Sequence, residues 1–143
     1  MTPKLDLLLV TPPSKDIAFQ DLSRNFVAIE PPVWSTLLAT FLRQKGFSVE
    51  VLDAEAESIG YEKTAQRISE TDATLTVFVI YGHQPSASTQ CMPAGRAVAQ
   101  RVRISNPTLK MIVMGTHASA LPGRTLIEEP YDFVCEGEGP YTI

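Results

Sequence analysis

The chain is 143 residues long with the composition of an ordinary globular protein, enough to bury a core without disulfides or a structural metal. A formal charge of −4, with no lysine- or arginine-rich block, excludes nucleic acid or an anionic membrane as the main partner. Met1-Thr-Pro-Lys4 leads straight into the apolar run Leu5–Val10, too short for a signal core or a membrane span, so a cytoplasmic protein with Cys91 and Cys135 reduced is expected.

Leu5–Val10 is the first predicted strand, ended by Thr11-Pro12-Pro13, because paired prolines cannot continue a central strand. Ser14 to Glu30 has little periodicity and reads as a long loop with a helical turn near Asp16 to Leu22. Pro31-Pro32 opens a helix in which Trp34, Leu37, Leu38, Phe41 and Leu42 recur at three- and four-residue spacing, and Gly46 stops it. That spacing puts Trp34 on the core-facing side. Ser48–Leu52 is the second strand, ending at Asp53, and a helix follows over Tyr61–Glu70 with Ala65 and Ile68 inward. Ala73–Tyr81, rich in β-branched and aromatic residues, is the third strand, and Gly82-His83-Gln84-Pro85 its terminal loop. A third helix is expected over Ala87–Ile104, or from Ala94 if Pro93 and Gly95 delay its start. Met111–Met114, bounded by Gly115, has the pattern of a strand buried on both faces. A short helix over Leu121–Glu128 and a strand over Tyr131–Glu136 complete the alternation.

The predicted fold is α/β: one domain over residues 1–143, a doubly wound five-stranded parallel sheet of flavodoxin-like order 2-1-3-4-5. Gly82, Gly115 and Gly137 should then share one edge. Pro140 suits the first turn of a further helix, so the sequence is expected to be a piece of a longer chain. Without that helix, the face beside Phe133 and Cys135 should be uncovered.

Ligands of open α/β sheets sit beyond the carboxyl ends of the strands, which directs attention to Gly115-Thr116-His117-Ala118-Ser119. The turn after the first strand has no glycine, so neither a dinucleotide fingerprint nor a P-loop is present. His83 and His117 each follow a strand, but no carboxylate or cysteine stands at zinc-like spacing; hydrogen-bonded loop histidines are expected, and no metal site. Cys135 reads as a buried inert thiol and Cys91 as an exposed one with nothing nearby to activate it. No nucleophile stands with a base, so the domain alone reads as a binder, with no catalytic residue. Gly115, Gly137 and Gly139 are each readable as turn glycines; together, at adjacent strand ends, they favour a large flat or extended ligand.

Five stretches carry a family resemblance: Thr11-Pro12-Pro13 after the first strand, Pro31-Pro32 before a leucine-rich helix, Gly46 to Asp53, Gly115 to Ser119, and Asp132-Phe-Val-Cys-Glu136-Gly137-Glu138-Gly139. Over essentially its whole length the sequence resembles the N-terminal cobalamin-binding domain of B12-dependent radical SAM enzymes. The resemblance implies cobalamin lying across the C-terminal edge of the sheet, its nucleotide tail entering the domain and its corrin facing a radical SAM barrel further along the same chain. It implies contacts from Thr11, Pro12, Pro13 and Ser14, from Gly82 and His83, from Gly115, Thr116, His117, Ala118 and Ser119, and from Glu136, Gly137, Glu138 and Gly139. A 4Fe-4S cluster and S-adenosylmethionine would belong to the C-terminal part, since C-x-x-x-C-x-x-C is absent here. The D-x-H-x-x-G motif by which mutases and methionine synthase give cobalt a histidine is also absent, so cobalt would take no histidine from the first loop. Met114 replaces the first of two glycines usual before the loop histidine, which is expected to narrow the shelf under the corrin. The implied function is that of a cobalamin carrier in a methyltransferase or cyclase. The competing reading is a regulatory or interaction module that binds a nucleotide or no cofactor.

Overall fold

The computed structural model describes residues 4–82 and 87–143, so His83 and the loop around it lie outside the described residues. Five strands, β1 (Leu7–Thr11), β2 (Val49–Asp53), β3 (Leu75–Val79), β4 (Met111–Met114) and β5 (Phe133–Val134), form one sheet of order 2-1-3-4-5. Every pairing is parallel, with Leu9 beside Val51 and Val77, and Val77 beside Ile112. Alternate side chains point to opposite faces of a strand, and the core divides accordingly. Leu8, Val10, Phe78, Ile80, Met111 and Val113 pack with the helices of one layer, while Leu7, Leu9, Val77, Val79, Ile112 and Met114 pack on the other side.

The helices are α1 (Lys15–Phe19), α2 (Val33–Gln44), α3 (Tyr61–Thr71), α4 (Ser88–Ser105), α5 (Thr116–Ala120) and α6 (Pro122–Glu128), with a 3-10 helix over Gln20–Arg24. α3 and α4 cover the first face through Ala65, Ile68, Val98 and Val102. α2 covers the other through Leu38, Ala39 and Leu42. No helix among the described residues is long and apolar enough to cross a membrane.

Several elements depart from the sequence reading. The buried residues of α2 are Ser35, Leu38, Ala39 and Leu42, while Trp34 and Leu37 stay outside. The apolar arc is wider than the contact face, and the helix meets the sheet where the small Ser35 and Ala39 allow close approach. α4, by contrast, keeps to the expected span: it runs over Ser88–Ser105, within a residue of Ala87–Ile104 at either end, and carries Pro93 inside it rather than starting after it. The proline ring is on the exposed side, and Gly95 is needed: a Cβ there would lie 2.3 Å from Ile80 Cδ1 and 2.8 Å from the Tyr131 hydroxyl. The stretch after β4 is two helices broken at Leu121, so Thr116–Ala120 is helical rather than loop. β5 keeps only two residues. Phe133 is half-exposed as expected, but Cys135 is fully buried, because the turn closed by Thr142 and Ile143 amides on the Gly139 carbonyl folds back over it. Tyr141 in that turn meets the Phe41 ring edge-on at 5.4 Å.

Asp132 holds the amino end of β4 to β5. Its carboxylate accepts from the Met111 amide (2.8 Å) and is ion-paired with Arg103 and Lys110. Partial burial pushes its pKa up, but the Met111 amide and the Arg103 and Lys110 side chains outweigh that and hold it below the ordinary carboxylate value.

Candidate functional site

The chain leaves β1 toward β2 on one side of the sheet and returns to β3 on the other, so the carboxyl ends of β1 and β3 part at a crevice. A cavity of about 340 Å³ opens there. Thr11, Pro12, Ser14 and Lys15 line it from the β1 side, Val79 to Gly82 from the β3 side, and Ile29 to Ser35 from the approach to α2. The wall is aromatic: Trp34 stacks on Tyr81 with ring centroids 4.7 Å apart and planes 23° apart, and Trp34 remains 49% exposed. The polar groups are few and mostly partnered. Thr11 Oγ1 and Ser35 Oγ lie 3.0 Å apart, and the Lys15 amide donates to Glu55 Oε1 at 2.6 Å. A short α1 is thereby tied to the loop after β2.

Burial pushes the pKa of the Tyr81 hydroxyl up, with the nearby Cys135 and Glu138 adding to the effect, so Tyr81 is a neutral donor at physiological pH. Cys91, expected as an exposed thiol, is only 3% exposed and sits in the core cluster beneath the crevice. Burial raises its pKa and a hydrogen bond from Ser14 only partly offsets this, which makes it an inert thiol. Burial likewise raises Cys135.

The loops after β4 and β5 form a second rim on the same edge. Gly115 has φ 151°, and a Cβ on it would sit 2.0 Å from the Ile80 carbonyl oxygen. Its side is filled by β3, so glycine is required here by the sheet rather than by open ligand space. Ser88 Oγ donates to that same Ile80 carbonyl (2.5 Å) and accepts from the His117 amide (3.1 Å). His117 Nδ1 lies 3.0 Å from Thr89 Oγ1, so it is a hydrogen-bonded histidine as expected. Ser119 Oγ accepts from the Gly137 amide at 2.8 Å, joining the two loops. Gly137, at φ 89°, has nothing within 4 Å of a Cβ position and is the one glycine of the three that faces open space. Gly139 closes on Met114, whose Cε would be 2.7 Å from a Cβ there. Met114 therefore fills the core under the terminal turn and does not reach the shelf.

Of the residues singled out from sequence, Thr11, Pro12, Ser14 and Gly82 meet around the cavity. Thr116, His117, Ser119 and Gly137 lie along the adjoining rim. Pro13 does not line the cavity, and the Ala118 side chain is fully buried in the core. Glu136 and Glu138 are exposed at the end of β5. Among the described residues no three of His, Cys, Asp and Glu gather as a metal-binding set. Sequence reasoning missed Trp34, Ser35, Tyr81, Lys15 and Glu55. A signal existed for the first two, since the start of a crossover helix after Pro31-Pro32 points at the ligand edge of such a sheet.

The family model described as the B12 binding domain matches residues 20–143. The chain belongs to the B12 binding domain family. No curated protein and no solved structure matches it. The matched span contains every element from the 3-10 helix onward, while β1, Thr11–Ser14 and α1 precede it. Membership in the B12 binding domain family supports cobalamin as the ligand, and the site is compatible with it. The crevice is large enough for a ring-bearing tail and offers an aromatic wall beside a few polar groups. Among the described residues no histidine lines the crevice, and His83, which follows the lining residue Gly82, lies outside them.

Proposed function

We infer that this B12 binding domain holds cobalamin with its nucleotide tail in the β1/β3 crevice and its corrin over the rim formed after β3, β4 and β5, in the service of a radical SAM domain on the same longer chain. The observation that carries this reading is the crevice itself, open at the topological switch point and walled by Trp34 and Tyr81. A benzimidazole-like ring would pack on that wall. α2 starts at the crevice without a side-chain cap, and a helix N-terminus favours the oxygens of a phosphodiester. Thr11, Ser14 and Ser35 would meet the sugar hydroxyls. Pro31, Pro32 and Ile29 would shed water from the tail.

The radical SAM setting, with its 4Fe-4S cluster and S-adenosylmethionine, rests on the resemblance carried by Gly115 to Ser119 and Asp132 to Gly139 and on the missing first-loop histidine motif. Cobalamin, when bound, supplies a cobalt centre able to carry a methyl group. The domain's own share is orientation: Gly137 leaves open space at its own place on the rim, and the His117 ring offers a hydrogen bond to the corrin's periphery. The test is a visible-absorbance titration with hydroxocobalamin. Saturable binding with bands of a cobalt that has released its own tail base is expected; unchanged bands at saturating protein would overturn the reading.

A further inference from the structure

We propose that Thr89 is a positioning residue for the ligand edge: its hydroxyl donates to His117 Nδ1 and so presents Nε2–H as a hydrogen-bond donor to an oxygen of the bound ligand.

Ser88 and Thr89 are the first two residues of α4 and act on the β4 exit at two points. Ser88, 1% exposed, bridges the Ile80 carbonyl of the β3 exit and the His117 amide of α5. The absence of a side chain at Gly115 lets these three elements close together, since a Cβ there would also lie 2.9 Å from Ser88 Oγ. The backbone of His117 is thus fixed relative to α4. Thr89, one residue further, then reaches His117 Nδ1 at 3.0 Å. A neutral imidazole carries its proton on one nitrogen, and the hydrogen bond at the other decides which. Neutral imidazole side chains favour the Nε2–H form in water, and a hydroxyl donating to Nδ1 reinforces it. The far nitrogen of the half-buried ring then bears the proton. Among the described residues no other partner of this ring is found. A donor at that place suits a neutral amide carbonyl or a phosphate oxygen, and it cannot coordinate a metal without losing its proton.

This inference rests on the cobalamin reading for the identity of the acceptor, but its first half does not. The experiment has two arms on the full chain. Nitrogen-15 NMR of the neutral His117 ring should give the Nε2–H tautomer in the wild type and in Thr89→Ser, and a more mixed population in Thr89→Val. In hydroxocobalamin titrations Thr89→Val should bind roughly 3- to 10-fold more weakly, the size of one lost hydrogen bond, with Thr89→Ser restoring affinity. In a His117→Ala background Thr89→Val should have no further effect, because a residue acting only through His117 cannot be additive with its loss. A wild-type Nδ1–H tautomer, or additive losses in the double variant, would overturn the proposal. Wild-type protein that keeps the Nε2–H tautomer yet binds no hydroxocobalamin would overturn the cobalamin reading and leave the Thr89 clamp standing.

Discussion

A methyl group placed on Gly115 would collide with the Ile80 carbonyl oxygen at 2.0 Å, and the backbone there is already at φ 151°. Gly115→Val should therefore cost roughly 3 kcal/mol of stability through overpacking and backbone strain, before any effect on ligand. Chemical denaturation checks this, and a wild-type midpoint with lost binding would mean that the glycine serves the ligand alone. Trp34 behaves oppositely. Half of it is exposed, so Trp34→Ala should cost only about 1 kcal/mol of stability, chiefly the lost stack on Tyr81, while weakening cobalamin binding about 10-fold, as loss of an aromatic wall would. Placing Trp34 inward from its spacing failed for a physical reason. Periodicity marks an apolar arc but not which part of it meets the sheet, and the small Ser35 and Ala39 decide that.

At the scale of elements, α4 shows why local propensity misleads. Glycine lowers helix propensity by about 1 kcal/mol relative to alanine, yet Gly95 lies where α4 crosses β3 against Ile80 and Tyr131. Gly95→Ala should thus destabilise the protein, by roughly 1–3 kcal/mol, since Ile80 and Tyr131 are buried and cannot give way cheaply. A more stable variant would show that the crossing is looser than described. β5 is two residues long, and Asp132 does much of its anchoring. Because the folded-state pKa of Asp132 is depressed, its contribution is fully present above the ordinary carboxylate value and is lost as pH falls through the folded one. Asp132→Asn should then lower stability by about 1–2 kcal/mol at neutral pH and flatten the loss seen in wild type below about pH 4. Parallel melts at pH 3 and pH 6 would reveal it; an unaltered acid limb in the variant would assign the loss to other carboxylates.

For the molecule as a whole, the parallel order 2-1-3-4-5 was legible because strands such as Met111–Met114 are apolar on both faces and each is followed by a turn residue. The ligand edge followed from the same order. Less legible was the place on that edge where space exists. Glycines after β4 and β5 drew attention to one rim, but Gly115 and Gly139 face β3 and Met114, contacts that no local pattern encodes. The crevice arises from residues far apart in sequence, Thr11, Trp34, Glu55 and Tyr81, which only the crossover brings together.

That crevice is the centre of the account, and comparing cobalamin with cobinamide, which keeps the corrin but lacks the nucleotide tail, tests it most directly. Trp34 is the single tryptophan of the chain, so its fluorescence can report both titrations. Tail burial in the crevice predicts that cobalamin binds at least about 10-fold more tightly, the equivalent of one well-packed aromatic ring. Equal affinity for the two would contradict it and return the ligand to the β4 and β5 rim alone.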